Sequence, residues 1–238
     1  MDSALKRAEQ MIDEGAQILD LGGFSSRPGA EDVSMAEELN RVIEPIKAIR
    51  KAFPGTYISL DTFRSEVAQA GIDAGVDIIN DISGGQGDAN MFNAVGNSEA
   101  AYILMHMRGY ATNMMSDTVY DNILLEMANY FKKSIMELSA AGVRDVIIDP
   151  GFGFSKTLDQ NYEVLNNLQY FNMIGAPIMA GLSRKSMIYK FLNTGPDDVL
   201  IGTNVLNFAA MQKGARILRV HDVKEALETI NLYKKLNN

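Results

Sequence analysis

The chain has 238 residues, 47% of them hydrophobic, with two histidines, no cysteine and a formal charge of −8. Its length suits one α/β barrel of roughly 250 residues, and its acidity argues against binding to a nucleic-acid backbone. Without cysteine there are no disulfides, thiolate metal sites or cysteine nucleophiles; no apolar run approaches the roughly 20 residues of a membrane span, and no secretory signal opens the sequence. A single domain over 1–238, cytoplasmic and without nucleic-acid or membrane partners, is therefore expected.

Residues 3–14 are expected to form an amphipathic helix, with Leu5, Ala8, Met11 and Ile12 on one stripe. Strands and helices then alternate: strand 17–21, helix 36–52, strand 57–61, helix 64–74, strand 77–82 and helix 88–96. The series continues with strand 101–107, helix 119–141, strand 146–149, helix 158–171 and strand 177–182. Helices 186–192 and 197–213, strand 215–221 and helix 222–235 complete it. Runs such as Ile78-Ile79 and Ile147-Ile148 are apolar on both faces, as buried parallel strands are. Eight helical layers against seven strands suggest an α/β fold, a (β/α)8 TIM barrel whose first β-strand is absent from this chain. The rival is an open doubly wound sheet, but no G-x-G-x-x-G turn follows a first strand.

The strand ends carry the chemistry: Asp20, Asp61, Asn80, Asp149, then Ser183-Arg184-Lys185, then Arg219 and His221. In a parallel βα array these ends and the loops beyond them lie on one face. A lone Asp or Thr after a strand is usually a cap or turn former, the plainer reading for Asp20, Thr62, Asp81 and Asp222. His106 likewise reads first as a buried polar group. Alternation places Arg219 and His221 on the same side of the last strand, which suits an anion. The loop Gly22–Ala30 holds Ser25, Ser26 and Arg27, and arginine forks onto phosphate oxygens. Local cations on a net acidic protein point the same way.

These blocks resemble the dihydropteroate synthase family of pterin-binding enzymes. The matching stretches are GAQILDLGGFSSRPGA (Gly15–Ala30), SLDT (Ser59–Thr62), INDISGG (Ile79–Gly85), MHMRG (Met105–Gly109), DPGFGFSKT (Asp149–Thr157), GLSRKSMI (Gly181–Ile188) and RVHD (Arg219–Asp222). The resemblance implies a (β/α)8 barrel, commonly a homodimer, that joins 4-aminobenzoate to a pterin diphosphate (6-hydroxymethyl-7,8-dihydropterin diphosphate). It implies sulfonamides as inhibitors. Asp61, Asn80, Asp149 and Lys185 would hold the pterin, with Met105 and Phe154 against its ring. Ser26, Arg219 and His221 match the diphosphate positions, Arg27 the loop that closes over them, and Ser183 with Lys185 the border of the 4-aminobenzoate pocket, where Pro28 and Phe154 flank the ring.

Mg2+ is implied as a cofactor on the substrate diphosphate, tied to an Asn in a first loop, Asn-x-Thr-Pro-Asp-Ser-Phe, that has no counterpart here, so no metal ligand is assigned. Phe24 departs from the acidic residue, and Ser26 from the threonine, that many members carry. The missing strand leads to the expectation that these 238 residues alone bind a pterin but are nearly inactive and poorly stable. The alternatives are a non-catalytic pterin-binding fragment and a pterin-dependent methyltransferase. The latter would share Asp61, Asn80 and Asp149 but leave GLSRKS and RVHD unexplained.

Overall fold

A computed structural model describes residues 2–24, 33–109 and 118–237. In chain order the elements are α1 (Asp2–Asp13), β1 (Ile18–Gly22), α2 (Met35–Ala52), β2 (Tyr57–Asp61), α3 (Ser65–Asp73), β3 (Ile78–Asp81), α4 (Met91–Gly96), β4 (Ala101–Met105), α5 (Ile123–Ala140) and β5 (Val146–Asp149). Then come α6 (Leu158–Asn166), a 3-10 helix (Leu168–Ile174), β6 (Ile178–Ala180), α7 (Ser186–Tyr189), a second 3-10 helix (Pro196–Asp198), α8 (Leu200–Gln212), β7 (Ala215–Leu218) and α9 (Val223–Asn237). This is an α/β fold with seven strands among the described residues.

The described residues divide into two compact units. The first takes those up to Met105 together with Lys133–Val146; the second takes His106–Gly109, 118–132 and those from Ile147 onward. In the first, β1 pairs β2, β2 pairs β3 and β3 pairs β4, all parallel. Ile58, Leu60, Ile79 and Leu104 alternate onto one face of these strands and are wholly buried. That face meets helices such as α2, whose inward stripe is Glu38, Val42, Ile46 and Ile49. Ser34 caps α2 by accepting from the Glu37 amide.

In the second unit, β5 pairs β6 and β6 pairs β7, again parallel, with a register irregularity between Ile178 and Met179. A capping box of Thr157 and Gln160 opens α6. The expected helix 158–171 is in fact broken at Asn167 and continues as the 3-10 helix, which ends at Gly175 with φ 83°. The Asn167 side-chain amide donates to the Glu163 carbonyl at 2.9 Å, competing with the backbone ladder.

Candidate active site

In the first unit the register sets Gly22, Asp61, Asn80 and Ile103 side by side on successive strands. Paired residues of parallel strands share a face, so Asp61 and Asn80 point the same way, with Asp20 and Ser59 one step behind and Met105 one step ahead. Asn80 is buried and donates through Nδ2 to both Asp20 oxygens, at 3.3 and 3.4 Å. Asp20 therefore serves this polar face and not a helix cap. The Ser59 hydroxyl on the same face is buried without a hydrogen-bond partner.

The opposite face is braced by carboxylates. Asp81 is buried and accepts from the Ser83 amide (2.7 Å), the Ser83 hydroxyl (2.7 Å), the Gly85 amide (2.8 Å) and the Tyr102 hydroxyl (2.6 Å). Burial raises its pKa against the pull of those donors. It caps a turn, in keeping with the plainer reading. Glu38 of α2 is wholly buried, accepts the Thr62 hydroxyl at 2.7 Å and pairs with Arg64, which also donates to the Val33 carbonyl at 2.7 Å. This ties the start of α2 to the end of β2. Phe24 sets its ring edge-on to Phe63, with centroids 5.1 Å apart. An apolar contact thus accounts for the residue that departs from the acidic pattern. Ser26, Arg27 and Pro28 lie outside the described residues.

In the second unit Asp149 ends β5, is buried, and accepts the Gly151 amide at 2.8 Å. Burial raises its pKa most, opposed by that N–H and by the charges of Lys185, Arg219 and Lys156. The Lys185 ammonium sits 4.5 Å from the centre of the Phe154 ring, a cation–π contact. Asp149, Phe154, Lys185 and Arg219 are thus brought together.

His221 and Arg219 come together differently from the strand reading. β7 stops at Leu218, although the Arg219 amide still bonds the Ala180 carbonyl at 3.0 Å. His221 lies in the turn beyond, where Ser183 Oγ meets its Nδ1 at 2.9 Å and accepts from its backbone amide at 3.3 Å. Asp222, expected as a cap, grips the Arg184 guanidinium through both oxygens, at 2.7 and 3.2 Å. Arg184, at φ 57°, also reaches Asp197 at 3.0 Å. These contacts lock the Ser183–Lys185 loop to the Arg219–Asp222 turn.

One group escaped the reading of the sequence. Lys156 is buried with 2% of its surface exposed, and its Nζ lies 3.1 Å from the Phe154 carbonyl, 3.2 Å from the Gly151 carbonyl and 3.2 Å from His106 Nδ1. No periodicity in a Gly-Phe-Gly-Phe loop marks a lysine as interior. His106 is buried as expected, its ring edge-on to Tyr130 at 5.0 Å, and burial with the nearby Lys156 and Arg108 charges holds its pKa well below the usual value. His106 is therefore neutral, and its Nδ1 accepts a hydrogen bond from the Lys156 ammonium.

A family model for pterin-binding enzymes matches residues 1–221. The chain is 38% identical over 240 residues to dihydropteroate synthase of Haemophilus influenzae, covering 100% of this chain and 86% of that one. A solved dihydropteroate synthase of Yersinia pestis, in complex with a sulfonamide drug, superposes with a TM-score of 0.95 at 36% identity, covering 99% of this chain and 86% of the other. That of Xanthomonas albilineans, solved with 4-aminobenzoic acid, gives 0.92 at 33% identity over 99% and 85%. This chain therefore belongs to the dihydropteroate synthase family of pterin-binding enzymes.

Proposed function

We propose that this chain condenses 6-hydroxymethyl-7,8-dihydropterin diphosphate with 4-aminobenzoate, giving 7,8-dihydropteroate and diphosphate. The observation that carries this is the buried Asp149 carboxylate grouped with Lys185, Arg219 and Phe154, in a chain of this family. A pterin's aminopyrimidinone edge offers N–H donors to Asp61 and Asp149 and acceptors to Asn80 and Lys185. Met105 and Phe154 supply apolar contact to its ring. Arg219 and His221, with Ser26 and Arg27, take the diphosphate. Ser183, at the border of the 4-aminobenzoate pocket, fixes the His221 ring through Nδ1.

The methylene–oxygen bond breaks with its electron pair leaving on diphosphate, and cations around those oxygens stabilise the developing charge. The arylamine nitrogen attacks the methylene carbon and then loses a proton, so no covalent enzyme intermediate is needed. Mg2+ remains part of the proposal as a partner of the substrate diphosphate. Among the described residues no group of three His, Cys, Asp or Glu could hold a metal, so no step is assigned to the ion. No described helix is long and apolar enough to cross a membrane. A cytoplasmic homodimer built on a single (β/α)8 barrel domain completes the reading. The decisive experiment measures diphosphate release with and without 4-aminobenzoate. Release that depends on the arylamine is expected. Pterin binding without release would mark a non-catalytic binder, and methyl transfer from a reduced folate would mark a methyltransferase.

A further inference from the structure

The segment from Asp149 to Thr157 is held from inside by a charged group that no step of the reaction uses. Lys156 turns back under its own loop, and its three N–H bonds match three acceptors: the carbonyls of Gly151 and Phe154 and the Nδ1 of His106. Each acceptor lies beside a residue of the site. Gly151 is the residue whose amide binds Asp149, and Phe154 carries the ring beneath the Lys185 ammonium. The His106 amide in turn bonds the Asp149 carbonyl at 2.9 Å.

Two further braces converge on the same loop. Asn161 accepts from the Gly153 amide at 2.7 Å and donates to the Lys156 and Thr157 carbonyls at 3.3 and 2.7 Å. Ser155, at φ 49°, exchanges hydrogen bonds with the Arg108 backbone at 2.7 and 3.0 Å. Neither of these touches the Phe154 or Gly151 carbonyl. A buried ammonium is costly unless its hydrogen bonds are satisfied, and here they are.

We propose that Lys156 is a positioning residue for the pterin site, setting Asp149 and the Phe154–Lys185 pair by gathering Gly151, Phe154 and His106 around one buried ammonium. The role rests on the pterin reading of that site. The charged groups that act on Lys156 are Asp149, Lys185 and Arg108, and burial brings its pKa down to about 7. A neutral amine keeps two N–H donors, so above that pH one of the three acceptors is released.

The test compares the wild type with Lys156→Met and Lys156→Arg. Affinity for the dihydropterin alcohol, which lacks the diphosphate and does not titrate in this range, is measured by calorimetry from about pH 6 to about pH 8.5. Wild-type affinity should fall about tenfold across that range, the worth of roughly one buried hydrogen bond. Lys156→Met should bind at least about tenfold more weakly at the low end and show no pH slope; Lys156→Arg, whose charge cannot be shed, should also be flat. Affinity within about twofold of wild type, with the slope retained, would overturn the proposal.

Amide hydrogen exchange at Gly151, Gly153 and Phe154 decides the positioning role even if the wild type binds no pterin, a result that would defeat the functional reading instead. Faster exchange in Lys156→Met supports the role, and unchanged exchange overturns it. Should that variant fail to fold, Lys156→Arg decides in its place: altered exchange at those three amides supports the role, and exchange equal to that of the wild type overturns it.

Discussion

Single side chains decide the chemistry through what surrounds them. Lys185 is held over the Phe154 ring and its charge acts on Asp149. Replacing it with alanine should lower turnover about a hundredfold, the loss expected for a well-placed donor and checked by steady-state kinetics. Retention of more than about a tenth of wild-type activity would remove Lys185 from the site. Asn207 presents the opposite case. Both atoms of its amide are buried in α8 without a partner, a placement that costs about 1–3 kcal/mol. Asn207→Ala should therefore raise the unfolding midpoint in denaturant, with activity unchanged.

At the scale of elements, the loops beyond the strands are tied by charged pairs that sequence spacing does not reveal. Arg184 and Asp222 lie 38 residues apart, yet their paired contacts join the β6 loop to the turn after β7. Asp222→Ala should weaken binding of the diphosphate substrate about tenfold while sparing the pterin alcohol, because it loosens His221 and Arg219 more than Asp149. Equal losses for both ligands in calorimetry would show that the clamp merely stabilises the fold. Glu38 and Arg64 do the same work between α2 and β2, with the carboxylate fully buried. Glu38→Ala strands the Arg64 charge and should cost about 3–5 kcal/mol of stability in denaturant unfolding.

For the molecule as a whole, buried titratable groups shape the pH dependence of stability. Between about 7 and the ordinary lysine value, the unfolded chain keeps the Lys156 proton and the folded chain sheds it. The unfolded state thus binds more protons there, and stability climbs with pH at up to about 1.4 kcal/mol per unit. His106 acts in the same sense at lower pH. Its lowered pKa means that stability is lost as pH falls below the usual histidine range. Unfolding midpoints measured between about pH 7 and about pH 9.5 should rise for the wild type and stay level for Lys156→Met.

Much of this was legible in the amino-acid order. Alternating apolar runs and helical stripes located all seven strands of the described residues, with β2 and β5 at their observed bounds, because burial imposes those periods on any chain that packs sheets under helices. The polar residues that close the strands were legible for the same reason: a carboxylate such as Asp149 interrupts an apolar run where the strand leaves the core. Their partners were not. That Asn80 bonds Asp20, that Ser183 holds His221, that Asp222 grips Arg184 and that Lys156 lies buried under its own loop depend on chain segments meeting in space. Local sequence specifies which residues can ionise or donate; tertiary packing decides which of them lose water and which neighbour replaces it, and those two terms set the pKa values and the geometry of the site.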